Sequence, residues 1–257
     1  MNRSNNSNIC KNFLYFNNID GFIGKRTNIL NSFPFSRYPI VVFQETNLTP
    51  FHSSYEDFSL VHRNSKAASY VESSCFIRGC LFVWDPILFS AKIINSSIID
   101  NFDIRAMLFE PTCPGSDLIV ISVYRSPSMS RPATASFFDA LSDFIATMSN
   151  PRILIVGDLN LAKGRKLHHH TDEAFYIDQI CSLGFVNLVS GPSRGSIQLD
   201  YAFASSDSHT ASLIDGFLSD HKAIEISFDV SLVTHTVLPR YVMKTKSTDF
   251  KALHDAI

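Results

Sequence analysis

Residues 153–160, Ile153-Leu154-Ile155-Val156-Gly157-Asp158-Leu159-Asn160, set four branched apolar side chains in a row and then pass to Gly-Asp-Leu-Asn. A run this short, bounded by Pro151 before it and Gly157 after it, reads as a β-strand. Its polar ending falls where an open sheet gathers a site, at the end of a strand. Taken alone, Gly-Asp-Leu-Asn is also an ordinary turn, because Gly, Asp and Asn are the common turn residues.

The same pattern recurs on either side. Ile40-Val41-Val42-Phe43 delivers Gln44-Glu45, the run ending in Ser122-Val123 delivers Tyr124-Arg125, and Phe217-Leu218 leads into Ser219-Asp220-His221. Each has a plain alternative: a solvated strand end for Glu45, a helix cap beside a histidine for Ser219-Asp220-His221. Their joint order is harder to explain that way. Further β-type runs lie at 13–16, 75–84, 117–123, 198–203 and 223–228. Helical periodicity covers 24–33, 134–148 and 172–183; in the second, Phe137, Phe138, Leu141, Phe144, Ile145 and Met148 share one face. The class is mixed α/β, with no internal repeat.

The 257 residues, 45% hydrophobic and including 22 Phe, suffice for one large core or two modest ones. The longest apolar stretches, such as 38–43 and 153–156, fall far short of the roughly 20 residues that cross a bilayer, so no membrane association is expected. The Asn/Ser-rich start lacks the basic and apolar regions of a signal peptide, which implies an intracellular protein. Cys10, Cys75, Cys80, Cys113 and Cys181 have no paired metal spacing and read as reduced, structural thiols. A net charge of −2 lacks the basic footprint of a nucleic-acid binder. Carboxylates gathered around a metal would lower the net charge, and the local field is what captures substrate. Arg125, Lys163, Arg165, Lys166 and Arg194 are the positive charges near the motifs. The expected organisation is a flexible lead at 1–11, one domain at 12–232, and a basic linker at 233–257 leading toward a further domain.

In their order, Glu45, Tyr124, Asp158 with Asn160, Asp200, and Asp220-His221 resemble the endonuclease/exonuclease/phosphatase superfamily, over roughly residues 12–230. An Asn on the first strand belongs to that pattern; Asn17 is the better match and Asn18 the competing register. Within the superfamily the chain looks most like the apurinic-type endonuclease domain of non-LTR (LINE-type) retrotransposons. Val123-Tyr124-Arg125-Ser126-Pro127, Gly191-Pro192-Ser193-Arg194 and the basic tail carry that likeness. It departs at Arg78-Gly79-Cys80-Leu81, where more glycine is common, and at Ser193, where Thr is usual; neither departure is expected to touch a catalytic group. The resemblance implies a DNase I-like four-layer α/β sandwich, two packed and largely antiparallel sheets flanked by helices.

By the same resemblance, Glu45 is the first ligand of Mg²⁺, with Mn²⁺ a substitute, because hard divalent cations prefer carboxylate oxygen. Asn17 would orient Glu45 or the metal's water, and Asp220 would add a second contact. Asp200 would fix the tautomer of His221 and favour its protonated form. His221 would then bond a phosphate oxygen, Asp158 orient or deprotonate water, and Asn160 and Tyr124 hold the phosphate. The general base stays open between His221 and Asp158. Arg125 and Arg194 are expected on the DNA backbone. The implied activity is nicking of one strand of double-stranded DNA in the nucleus, leaving a 3′-hydroxyl for a covalently linked reverse transcriptase. The alternatives are a phosphoesterase of the same fold acting on inositol phosphates or lipid headgroups, and an inactive interaction module. His168-His169-His170 reads as a solvated loop and Trp84 as core.

Overall fold

Alternation of side chains along each strand organises the molecule. The computed structural model describes residues 12–48, 66–70, 79–96, 98, 102–112, 115–150, 152–161, 172–206 and 209–228. Within them, one sheet runs in the order β11 (Thr210–Ile214), β12 (Ala223–Phe228), β1 (Asn12–Asn18), β2 (Ile40–Gln44), β4 (Cys80–Trp84), β3 (Lys66–Tyr70). The other runs β5 (Phe89–Ile94), β6 (Ile104–Pro111), β7 (Leu118–Tyr124), β8 (Ile153–Asp158), β10 (Asp200–Ala204), β9 (Val186–Asn187). All neighbours pair antiparallel except one pair in each sheet, β1 with β2 and β7 with β8.

Leu14, Phe16, Ile40 and Val42 from the first sheet meet Val120, Leu154, Val156 and Ala202 from the second in a shared core. The intervening residues serve the outer faces. Tyr15, Val41 and Phe43 pack with Ile29 of α1 (Arg26–Ser32) and with Phe33. Ile121 and Ile155 pack beneath Phe137 and Phe144 of α2 (Arg131–Ala146) and Ile180 of α3 (Asp172–Ser182). Ser130 caps α2 by accepting from the Ala133 amide, and Pro132 stands in its first turn. Each fully buried Phe contributes about 1.5–3 kcal/mol of transfer energy. The result is the four-layer sandwich that the family resemblance implied.

Most interior strands fall where the apolar runs place them; β3, β5, β6, β9 and β11 have no counterpart among those runs, and of these only β6 is interior. β5 and β11 lie at sheet edges, and their largely solvated residues leave little apolar signal. Lys92 on β5, for example, spends its charge on Glu110 of β6, 2.7 Å away. The lead at 1–11, the stretch holding Lys163, Arg165, Lys166 and His168 to His170, and the tail at 233–257 lie outside the described residues, as do Cys10, Cys75 and Cys113. No helix among the described residues is long and apolar enough to cross a membrane. Cys80 is a buried free thiol and Cys181 a half-buried one.

The two parallel pairs position the site. Parallel neighbours end together, so Asn18 lies beside Gln44 and Tyr124 beside Asp158. Antiparallel β10 starts at that same end, with Asp200 directly opposite Asp158.

Candidate active site

The face that fills the inter-sheet core turns polar at its end. Asn18 continues the row of Leu14 and Phe16, Gln44 that of Ile40 and Val42, and Asp158 that of Leu154 and Val156. Polar groups from opposite sheets therefore meet in a buried seam. Asn18 Nδ2 donates to Asp158 Oδ2 at 3.0 Å. Gln44 Nε2 donates to the Val123 carbonyl at 2.9 Å, and the Asp158 amide donates to Gln44 Oε1 at 2.9 Å. The Asn160 amide reaches Asp158 Oδ1 at 3.0 Å, so both carboxylate oxygens of Asp158 are held. Gly157 permits the close approach of β7, since a Cβ there would lie 1.8 Å from the Val123 carbonyl oxygen.

Asn18, Glu45, Asp158 and His221 line a cavity of about 170 Å³. Tyr124, Pro127 and Asn160 also line it, as do Asp20, Arg194 and Asp220. Of the four non-glycine residues at positive φ among the described residues, three line this cavity: Asp20 (44°), Glu45 (53°) and Asn160 (47°). The left-handed region costs of order 1–3 kcal/mol for most residues, less for Asp and Asn, and such strain gathers at functional sites.

Charge in the cavity is unbalanced. His221 Nδ1 and Asp200 Oδ2 lie 2.8 Å apart, both buried. The ligating atoms of Asp158, Asp200 and His221 all lie within 4.8 Å of one another. Burial and the neighbouring Asp200 carboxylate push Asp158 up to about 8, with Glu45 adding to the push and His221 opposing it. Burial pulls the His221 imidazole down, but the hydrogen bond and charge of Asp200 outweigh it and leave it raised. Asp200 Oδ1 is buried with no hydrogen-bond partner. An orphaned carboxylate oxygen on Asp200, the carboxyl of Asp158 pushed up by burial and its neighbours, and a further carboxylate on Glu45 make an excess of negative charge that a hard divalent cation would relieve. Because Asp200 is already engaged by His221, Glu45 would hold such an ion, with Asp20 and the exposed Asp220 reaching it only through its water shell.

Two expected residues lie elsewhere. Asn17 projects from the opposite face of β1 to Asn18, and its Nδ2 donates to the backbone carbonyl of His221 at 3.3 Å. Asn18 therefore takes the cavity position; both faces of β1 are buried, so hydrophobicity alone gave no choice between the registers. Arg125 is not on the surface. Its buried guanidinium donates to the carbonyls of Leu159 (2.6 Å) and Asn160, and to Ser126 O at 3.3 Å, fastening the loop after β8. Arg194 is exposed at the rim, where it pairs with the exposed Asp220 at 2.7 Å.

Asp20 and Ser193 had been assigned no role. Asn18 Oδ1 accepts from the Asp20 amide at 3.2 Å, so the Asn-x-Asp-Gly ending of β1 was a usable signal. Ser193 Oγ accepts from the amides of Leu199 (2.9 Å) and Asp200 (3.0 Å). The Ser193 departure thus supports the backbone of a site residue, contrary to expectation.

No family model and no curated protein matches the sequence. Solved structures do share its fold. The endonuclease domain of TRAS1, a telomere-specific non-LTR retrotransposon, superposes with a TM-score of 0.65 at 13% identity, covering 86% of this chain and 99% of that one. An AP endonuclease from Archaeoglobus fulgidus gives 0.60 at 15% identity, with 85% and 100% covered. A mannosyl-6-phosphatase from Bacteroides thetaiotaomicron gives 0.60 at 10% identity, with 84% and 98% covered. The chain has the fold of the endonuclease/exonuclease/phosphatase superfamily.

Proposed function

We propose that this chain is a divalent-metal-dependent endonuclease that hydrolyses a phosphodiester in one strand of double-stranded DNA. The observation that carries the reading is the buried cluster of Asp158, Asp200 and His221, of which Asp158 and His221 line the cavity with Glu45, Tyr124 and Asn160. A divalent cation on Glu45 would supply Lewis acidity toward the phosphoryl and leaving oxygens. His221, its pKa raised by Asp200 at Nδ1, keeps Nε2 for donation to a phosphoryl oxygen. With Nδ1 engaged by Asp200, His221 serves as a donor, and the base role falls to Asp158 once a bound cation favours its ionised form. Asn18 and Asn160 fix its two oxygens for the attacking water. Tyr124 and Asn160, whose Nδ2 donates to the Arg125 carbonyl at 3.0 Å and keeps a second hydrogen, would supply donors as charge builds on the phosphate.

The choice of DNA is supported by the Val123 to Pro127 and Gly191 to Arg194 motifs and by the shared fold with a retrotransposon endonuclease domain. On this reading the protein acts in the nucleus, and the 3′-hydroxyl it leaves serves a reverse transcriptase joined to it in a longer polypeptide. A second reading, a phosphomonoesterase, is favoured by the small cavity, whose 170 Å³ accommodates a single phosphate group. Supercoiled plasmid incubated with Mg²⁺ or Mn²⁺, with EDTA, and with the Asp158→Ala and His221→Ala variants separates them. Open-circle formation that needs metal and is lost in both variants is the expected result. Phosphate release from small phosphoesters without nicking would replace the first reading by the second.

A further inference from the structure

Beside the cavity lies a larger groove of about 620 Å³, and Asp20, Arg194 and Asp220 form the wall they share. Its far side is made by Lys25, Asn28 and the loop at 216–219. Phe217 on that loop is 40% exposed, a large ring left in open water beside a polar groove. It is nonetheless fixed. Its edge contact with Phe33 sets the ring centroids 5.7 Å apart at 82°, and its amide donates to the Tyr15 hydroxyl at 3.4 Å. Immediately before it, a Cβ on Gly216 would lie 1.9 Å from the His221 carbonyl oxygen. Shortly after it, Ser219 Oγ donates to the Asn18 carbonyl at 2.5 Å. The loop is thus tied to Asn18 and His221, two residues that line the cavity, which fixes the ring relative to the reacting phosphate.

The groove is close to neutral. Arg194 is balanced by Asp220 at 2.7 Å, and Lys25 stands beside Asp20, donating to the carbonyls of Ile19 and Asp20. A near-neutral groove with a fixed aromatic ring suits a flat, uncharged π-system better than a second phosphate. A phosphomonoester seated in the cavity would leave the groove unengaged, so its size favours a substrate that continues beyond the reacting phosphate.

Resting on the nuclease reading, we propose that this groove is a nucleobase subsite, in which Phe217 stacks on the base flanking the cleaved phosphate and Asn28 hydrogen-bonds its edge. Stacking accepts any base, so the subsite sets the register of the strand and not its sequence.

The test is fluorescence anisotropy of a labelled single-stranded 12-mer in EDTA. Phe217→Ala and Phe217→Leu, the latter keeping the apolar contact with Phe33, should each weaken binding roughly tenfold. Phe217→Trp should bind as wild type, with its fluorescence quenched on binding beyond any change shown by the native Trp84. Unchanged affinity in the Ala and Leu variants, with melting confirming that they fold, would overturn the subsite alone. So would an unquenched Trp at position 217 in the bound complex. Wild-type protein that binds no oligonucleotide, single-stranded or duplex, would overturn the subsite and the nuclease reading together.

Discussion

The floor of the cavity and its rim use the same residue types under opposite physical rules. On the floor, Asp200 and His221 are paired at 2.8 Å with side chains 0% and 4% exposed; at the rim, Arg194 and Asp220 are paired at 2.7 Å with side chains 43% and 62% exposed. Breaking a buried pair leaves a charge without water or partner and costs about 3–5 kcal/mol, whereas an exposed pair contributes about 0–1 kcal/mol. The two arginines divide the same way, Arg125 bound to backbone carbonyls inside and Arg194 set in solvent. Distance alone does not rank such contacts. Desolvation makes the floor rigid and electrostatically strained, and solvent leaves the rim free to exchange its partners for a substrate.

The sharpest contrast is in catalysis. Asp158→Asn and His221→Ala should each lower metal-dependent phosphodiester cleavage about 10²–10³-fold in steady-state assays. Asp220→Asn should cost much less, and an equal loss would erase the distinction between floor and rim. Next in size is Gly157→Ala. Its new Cβ meets the Val123 carbonyl at 1.8 Å, and urea unfolding should show a loss of about 3 kcal/mol or more.

The arginines give a paired test. Arg125→Met leaves buried carbonyls without a donor and should destabilise by about 2 kcal/mol or more while the salt dependence of DNA binding stays as in wild type. Arg194→Ala should change stability by less than about 0.5 kcal/mol yet reduce the slope of log K against log salt by about 1. An unchanged slope in Arg194→Ala would remove the rim arginine from the DNA contact.

Charge on the floor also sets the pH dependence of the metal-free protein. Asp158 is raised from 3.8 to about 8, so between those values the folded state keeps a proton that the unfolded state has released. Stability must then fall as pH rises through that window. His221, raised by Asp200, acts in the same direction: its contribution is present below its unfolded value and lost as pH rises through its folded one. Melting in EDTA should therefore decline from pH 5 to 8.5. Asp158→Asn should flatten the decline, and Mg²⁺ should stabilise the wild type more at pH 8 than at pH 6. A profile that rises with pH would mean that the floor is not short of positive charge.

Much of this was legible in the residues. Strands such as β2 and β8 announce themselves by unbroken apolar runs, because strands buried on both faces need apolar side chains on each. The edge strands β5 and β11 did not, since solvent on their faces removes that demand. Glu45, Asp158 and His221 were identifiable as polar endings of apolar runs, and the residues of their motifs stand in the order the family resemblance requires.

What the sequence by itself determined is thus the class of the fold, most of its central strands and the residue types of the site, all set by short-range pattern and composition. Only the tertiary structure decided between Asn17 and Asn18, buried Arg125 while exposing Arg194, and brought Asp20 and the Ser193 hydroxyl to the site. Each of those outcomes depends on which buried face meets the opposite sheet and which meets a helix. For the register of β1 that is a contact between segments 140 residues apart, the bond from Asn18 to Asp158, and for Arg125 one across 34 residues to Leu159; no local pattern encodes either.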